Sequence, residues 1–117
     1  MEKILIIDGR EIKFKSSAAF LLRYKMQFQR DGLRDLMKLQ DAIDTKTRQL
    51  KDTDKFDLEV FYNMTWVLAK VANPEIPPPL QWLDTFSEFP LMEILPEIIE
   101  LMMLCLQSSV QIKKKIV

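Results

Sequence analysis

The sequence predicts a mainly α fold of the α+β class: an N-terminal β-hairpin followed by a bundle of four to five helices, built as one domain over residues 1–117. Three observations carry this expectation. Asp8-Gly9 stands between two apolar-rich runs near the start of the chain. From Ser17 onward apolar residues recur mostly at spacings of three and four, the period of a helix face. A chain of 117 residues is also long enough to bury one core of its own and too short for two.

The hairpin is expected over residues 3–14. Asp-Gly is favoured in a type I′ turn because both central residues need positive φ. Centred there, the turn pairs Leu5 with Ile12, Lys3 with Phe14 and Ile7 with Arg10. Leu5, Ile7, Ile12 and Phe14 then share one face suited to a core. The other face sets Ile4 and Ile6 against Lys13 and Glu11 and is only half polar. A two-stranded hairpin is marginal alone in water, so helices or another sheet must cover it.

Helices follow over about residues 17–43. Ser16 or Ser17 is a plausible N-cap for a helix from Ala18 to Gln29. Two stripes run along it, Phe20-Leu21-Tyr24-Phe28 and Ala18-Leu22-Met26, so it reads as sandwiched between two layers. Gly32 marks a break, after which Leu33, Leu36, Met37, Gln40 and Ile43 make an amphipathic helix. Asp44 to Asp54 is polar and reads as a connection. Phe56, Val60, Met64, Val67 and Val71 trace a helix over about 56–73, ended by Asn73-Pro74, with Trp66 at its edge. Residues 74–79 form a Pro-rich joint, a stiff connector rather than a docking site for an SH3-like module. A short aromatic helix with Trp82, Leu83 and Phe86 is expected over about 80–87.

The last helix, about 91–113, carries more apolar surface than one packing contact uses. Glu93, Glu97, Glu100, Gln107 and Gln111 gather on one narrow stripe. Ile94, Ile98, Leu101, Cys105 and Ile112 form one apolar seam, and Met92, Leu95, Ile99, Met103, Leu106 and Val110 a second. Together the seams span roughly 200°, against the stripe of about 100° or a little more that a surface helix typically shows. One seam packs on its own domain, and the other needs a further layer: more of this domain, a copy of the chain, or another protein. Met92, Leu95, Ile99, Met103, Leu106 and Val110 are therefore the candidate partner-binding residues, and Ile4 and Ile6 the candidates for self-association.

Composition works by subtraction. With no histidine, the commonest general base and metal ligand are missing. Cys105 is the single cysteine and sits among Leu101, Met102, Met103, Leu104 and Leu106, so it reads as a small buried apolar residue. Gly9 and Gly32 stand alone, and no phosphate-cradling loop exists. Glu93, Glu97 and Glu100 read as the solubilising face of an apolar helix rather than an acid/base group, and Ser108-Ser109 has no partner base. No enzyme, cofactor or metal site is expected. The absence of disulfides and of a signal peptide points to a reducing cytoplasm, and the glutamates break the one long apolar stretch, so no membrane span is expected.

The net charge of zero hides an asymmetry. Residues 1–55 carry 13 basic and 9 acidic side chains, whereas residues 56–112 carry Lys70 alone against eight acids. Lys113, Lys114 and Lys115 restore the balance. The basic residues of the first half are mixed with acids along the helices, which argues against nucleic-acid binding. A solvated face accounts for them, as does attraction between opposite halves of neighbouring copies.

The order of elements resembles a family. Ile4-Leu5-Ile6-Ile7-Asp8-Gly9-Arg10-Glu11-Ile12-Lys13-Phe14 is followed by a Ser-Ser-started helix with Arg23-Tyr24-Lys25-Met26-Gln27-Phe28, then by Gly32-Leu33-Arg34-Asp35-Leu36-Met37. Leu58 to Ala69, the joint with Trp82-Leu83-Asp84 and the apolar last helix complete the pattern. Over nearly its whole length the chain resembles the tail assembly chaperones of long, non-contractile-tailed (siphovirus-type) phages and prophages of Gram-positive bacteria. The resemblance implies a cytoplasmic morphogenesis protein absent from the mature virion. It implies binding to the tail tape measure protein, which is kept soluble until tail tube subunits polymerise around it. It also implies a longer product, made by ribosomal frameshifting, that recruits the tail tube protein. Lys113-Lys114-Lys115 is compatible with an A-rich slippage site and equally with lysines favouring a helix C-terminus. Two other readings stay open: a small cytoplasmic adaptor or regulator dimerising through the last helix, and a structural head–tail connector or completion protein.

Overall fold

The structure, a computed structural model, describes the backbone of residues 1–110 and the side chains of residues 1–107. Seven elements follow in order: β1 (Glu2–Ile7), β2 (Arg10–Lys15), α1 (Phe20–Phe28), α2 (Gly32–Asp41), α3 (Leu58–Ala72), α4 (Pro79–Asp84) and α5 (Leu91–Val110). The expected class, a hairpin leading into five helices, is what the chain forms.

The hairpin has the register that its turn dictates. Asp8 and Gly9 take φ of 54° and 73°, and Leu5 pairs with Ile12, Lys3 with Phe14 and Ile7 with Arg10. Ile7 and Phe14 are fully buried, while Leu5 and Ile12 pack partly against the core. α3 and α5 cover this inner face. Distant side chains fasten the hairpin to the last third of the chain. Asp8 Oδ2 accepts the Ser87 amide at 2.8 Å, and Arg10 reaches both Thr85 oxygens at 3.2 Å and lies 4.2 Å over the Phe86 ring. Lys3 Nζ pairs with Glu97 and, at 3.1 Å, with Glu100. Two glutamates of the expected solubilising face of α5 therefore hold β1 as well.

α1 starts later than the Ser-Ser pair suggests. Ser16 is taken up by Met1, whose carbonyl accepts its amide at 2.9 Å, and Ser17 Oγ accepts the Ala19 amide. Ala19 is left at the N-cap with no side-chain bond. Gln29, with φ of 57°, closes α1, and Asp31 caps α2 by accepting the Arg34 amide at 3.2 Å. The buried face of α2 is turned from the expected one. Gly32, Asp35, Leu36 and Leu39 face inward, and Leu33 and Met37 are exposed. The cause is close contact with α1: a Cβ on Gly32 would lie 3.0 Å from the Leu21 carbonyl oxygen. Glycine lets the two backbones approach this closely without displacement, and the close approach turns the Gly32 side of α2 toward α1.

Asp44 organises the connection to α3 by accepting the amides of Lys46 and Thr47, which hold its carboxyl below the usual range. Ile43 and Leu50 then form an isolated antiparallel bridge. Asp57 caps α3, whose Phe61, Met64 and Leu68 are fully buried at the centre of the core. Trp66 is more buried than an edge position implies, because its Nε1 donates to the Pro77 carbonyl at 2.9 Å. Pro78 is extended, and Pro79 is the first residue of α4, where its missing N–H costs nothing. α4 is shorter than expected, ending at Asp84, and Phe86 and Phe89 turn back to stack edge-on around Trp82. α5 contains Pro96, which has no amide to give the Met92 carbonyl one turn earlier.

Candidate interaction surfaces

The expected partner-binding seam is not open along its length. Leu95 and Ile99 lie in the core, 0% and 2% exposed. The further layer that α5 needs is supplied here by the chain itself, since α1 and β1 pack on it and Gln40 and Ile43 lie near Ile99. Met92 is half exposed. Met103 and Leu106 are half-buried and line a cleft of about 280 Å³ with Gln40, Ile43 and Arg48. Gln40 Nε2 donates to Met103 Sδ at 3.0 Å across it. Val110, by its side chain, falls outside the described residues, as do Ile112 and Lys113-Lys114-Lys115. The other seam, Ile94, Ile98, Leu101 and Cys105, is buried throughout, and burial pushes the Cys105 thiol up.

Ile4 and Ile6 are where the hairpin register puts them, on the open face and 56% and 64% exposed. Among the described residues the sheet has two strands, and each keeps one edge without a partner strand.

A surface that sequence reasoning passed over lies between α1 and α3. Leu22 and Met26 of α1, 59% and 69% exposed, border a groove of about 540 Å³ floored by Trp66 and Val67 and rimmed by Arg23 and Lys70. The Ala18-Leu22-Met26 stripe had signalled it, but as one side of a sandwich. Among the described residues nothing covers Leu22 and Met26 on that side. A second groove of about 380 Å³ lies between α3 and α4, bordered by Leu58, Glu59, Tyr62 and Leu80, with Leu80 72% exposed.

A strongly polarised buried cluster, Tyr24, Arg30 and Asp35, is structural in geometry. Asp35 Oδ2 accepts the Tyr24 hydroxyl at 2.7 Å and Arg30 Nε at 2.6 Å, while Oδ1 accepts Arg30 Nη2 at 3.0 Å. The Arg30 guanidinium holds the Asp35 carboxyl below its ordinary value, and burial beside Asp35 drives the Tyr24 phenol up. A carboxylate so fully engaged ties α1 to α2 and has little capacity left for a substrate. Among the described residues no group of three or more His, Cys, Asp or Glu side chains is placed to hold a metal ion, and no helix is long and apolar enough to cross a membrane.

These features define a small α+β domain whose distinctive surfaces are apolar and mostly shallow. No family model matches the chain, and no curated protein or solved structure is significantly similar to it.

Proposed function

We propose that the chain is a non-catalytic binding protein, a tail assembly chaperone of a long-tailed phage or prophage that works in the host cytoplasm. It holds the tape measure protein in solution and is absent from the finished virion. The observation that carries the reading is apolar exposure. Ile4, Ile6, Leu22, Met26, Leu80 and Met92 are each more than half exposed on a domain that already has a complete core. Surface of this kind usually marks an interaction site. A tape measure is long and helix-rich, and methionines such as Met26, Met92 and Met103 adapt to helices of varied sequence. On α5, Met92, Met103 and Leu106 stay available to such a partner, whereas Leu95 and Ile99 serve the core. Ile4 and Ile6 offer a contact between copies. A frameshifted longer product would add the link to tail tube subunits.

Co-expression with the tape measure encoded beside this gene tests the reading. The expected result is a soluble tape measure that elutes together with the chain, and a smaller soluble fraction when Met103 and Leu106 are both replaced by Glu. If the tape measure is equally insoluble with and without the chain and no complex elutes, the chaperone reading fails. A dimerising adaptor then takes its place.

A further inference from the structure

Glu59, Asn63, Trp66 and Lys70 are spaced four, three and four apart, so they form one stripe along α3. Phe61, Met64 and Leu68 point the other way, into the core. The two grooves lie end to end along this stripe. Trp66 and Lys70 line the one shared with α1, and Glu59 and Asn63 the one shared with α4. Four exposed apolar side chains flank it: Leu22 and Met26 at one end, Leu58 and Leu80 at the other.

The charge on this face is polarised. At the α1 end stand Arg23 and Lys70, and α1 has no acidic residue. At the α4 end stands Glu59, and α4 itself carries Asp84 and no basic residue. Arg23, Lys70 and Glu59 make no ion pair with any described residue. Lys70 is held in place by the carbonyls of Pro74 and Ile76, which orient its charge without neutralising it. Eleven residues of helix set the two ends about 16 Å apart.

A face that is basic at one end, acidic at the other and flanked at both ends by exposed apolar side chains is complementary to itself turned by 180°. We infer that the α1–α3–α4 face is a two-fold interface between two copies of this chain, with Arg23 and Lys70 of each copy against Glu59 of the other and Leu22, Met26 and Leu80 closing over Trp66. An isologous contact of this kind closes as a dimer. It supplies the layer that the second stripe of α1 lacks. It covers Leu22, Met26 and Leu80 but uses neither the open hairpin face nor the α5 cleft, so Ile4, Ile6, Met92, Met103 and Leu106 stay free, and it stands whether or not the chain binds a tape measure protein.

Sedimentation of the full chain between micromolar and several hundred micromolar is the test, at low and high salt, with circular dichroism to check folding. A dimer that weakens as salt rises is expected. Arg23→Glu and Glu59→Lys, both at exposed positions, should each weaken it about tenfold or more, since each sets like charges together twice in the pair. The double variant Arg23→Glu/Glu59→Lys exchanges the charges and should regain most of the loss. Asn63 lies near the two-fold axis, so Asn63→Cys should give a disulfide-linked dimer on mild oxidation, where Lys38→Cys gives none. Ile4→Lys/Ile6→Lys should leave the dimer intact. A monomer throughout the concentration range overturns the inference. So does a dimer that ignores both single charge reversals, is not regained by the exchange, or is lost with the hairpin variant. A tape measure that stays soluble beside a strictly monomeric chain would sink this interface and spare the chaperone reading.

Discussion

Replacing Asp35 by alanine removes the acceptor that Tyr24 and Arg30 share, and the structure sets the scale of the loss. Arg30 contributes the smaller part, because its side chain is 52% exposed and water replaces its partner. Tyr24 is fully buried, and its hydroxyl would be left with no acceptor at a cost of about 1–3 kcal/mol. With the small void added, Asp35→Ala should lose about 2–4 kcal/mol. That is a large share of the roughly 5–15 kcal/mol that holds a domain of this size. Asp35→Asn keeps one acceptor and should lose about half as much. Asp35→Leu with Tyr24→Phe should regain part of the loss, since removing both partners leaves nothing buried and unsatisfied. Urea unfolding followed by Trp66 and Trp82 fluorescence measures all three. The slope is about 1–3 kcal/mol per molar, so Asp35→Ala should move the midpoint by about 1 M or more. The acid limb gives a second reading. The folded carboxyl titrates below its unfolded value, so its stabilisation is fully present above about pH 4 and fades as pH falls through the folded pKa. Asp35→Asn should flatten that limb. A midpoint shift under about 0.3 M for alanine, with the acid limb unchanged, would refute the clamp.

Gly32→Ala should destabilise by about 1–2 kcal/mol despite alanine's better helix propensity. The new Cβ meets two backbone atoms of Leu21, at 3.0 and 3.3 Å, and a drop of several degrees in thermal midpoint checks it. Lys3→Ala should cost about 1 kcal/mol, because a side chain only 12% exposed loses Glu97 and Glu100 together, and the difference from wild type should shrink in high salt. An unchanged urea midpoint would show that the pairs contribute nothing. Cys105, fully buried with its thiol pushed up, should resist a thiol reagent at neutral pH in the native chain and react at the rate of unfolding. Rapid labelling in native buffer would contradict its packing.

The elements that local chemistry dictates were legible in the sequence, and those set by tertiary contact were not. Asp8-Gly9 admits one register, and the structure has it. Gly32 was visible as a break, but its role in rotating α2 against Leu21 depends on a backbone 11 residues away. The Ser16-Ser17 pair looked like a cap, yet Ser16 found Met1 first, an equally short bond that no helix pattern reveals. On α5, periodicity marked both seams as apolar without telling which one its own domain would cover, so Leu95 and Ile99 were read as spare. On α1 the same reasoning gave two stripes, and there the second stripe does stay open. Identical patterns had opposite outcomes because burial depends on the distant element that happens to face the stripe. Lys3 meeting Glu97 and Glu100 was equally out of reach of any local rule.

The bonds joining the hairpin to the last third of the chain also order events during synthesis. Lys3 waits for Glu97, Asp8 for Ser87 and Arg10 for Thr85, separations of 94, 79 and 75 residues. A hairpin alone is marginal, so this segment settles only after partners made 75 to 94 residues later have emerged. At roughly 5–20 residues per second, several seconds pass with Ile7 and Phe14, fully buried in the finished fold, still uncovered. Those are the seconds in which the nascent chain is itself a client for whatever shields apolar surface nearby.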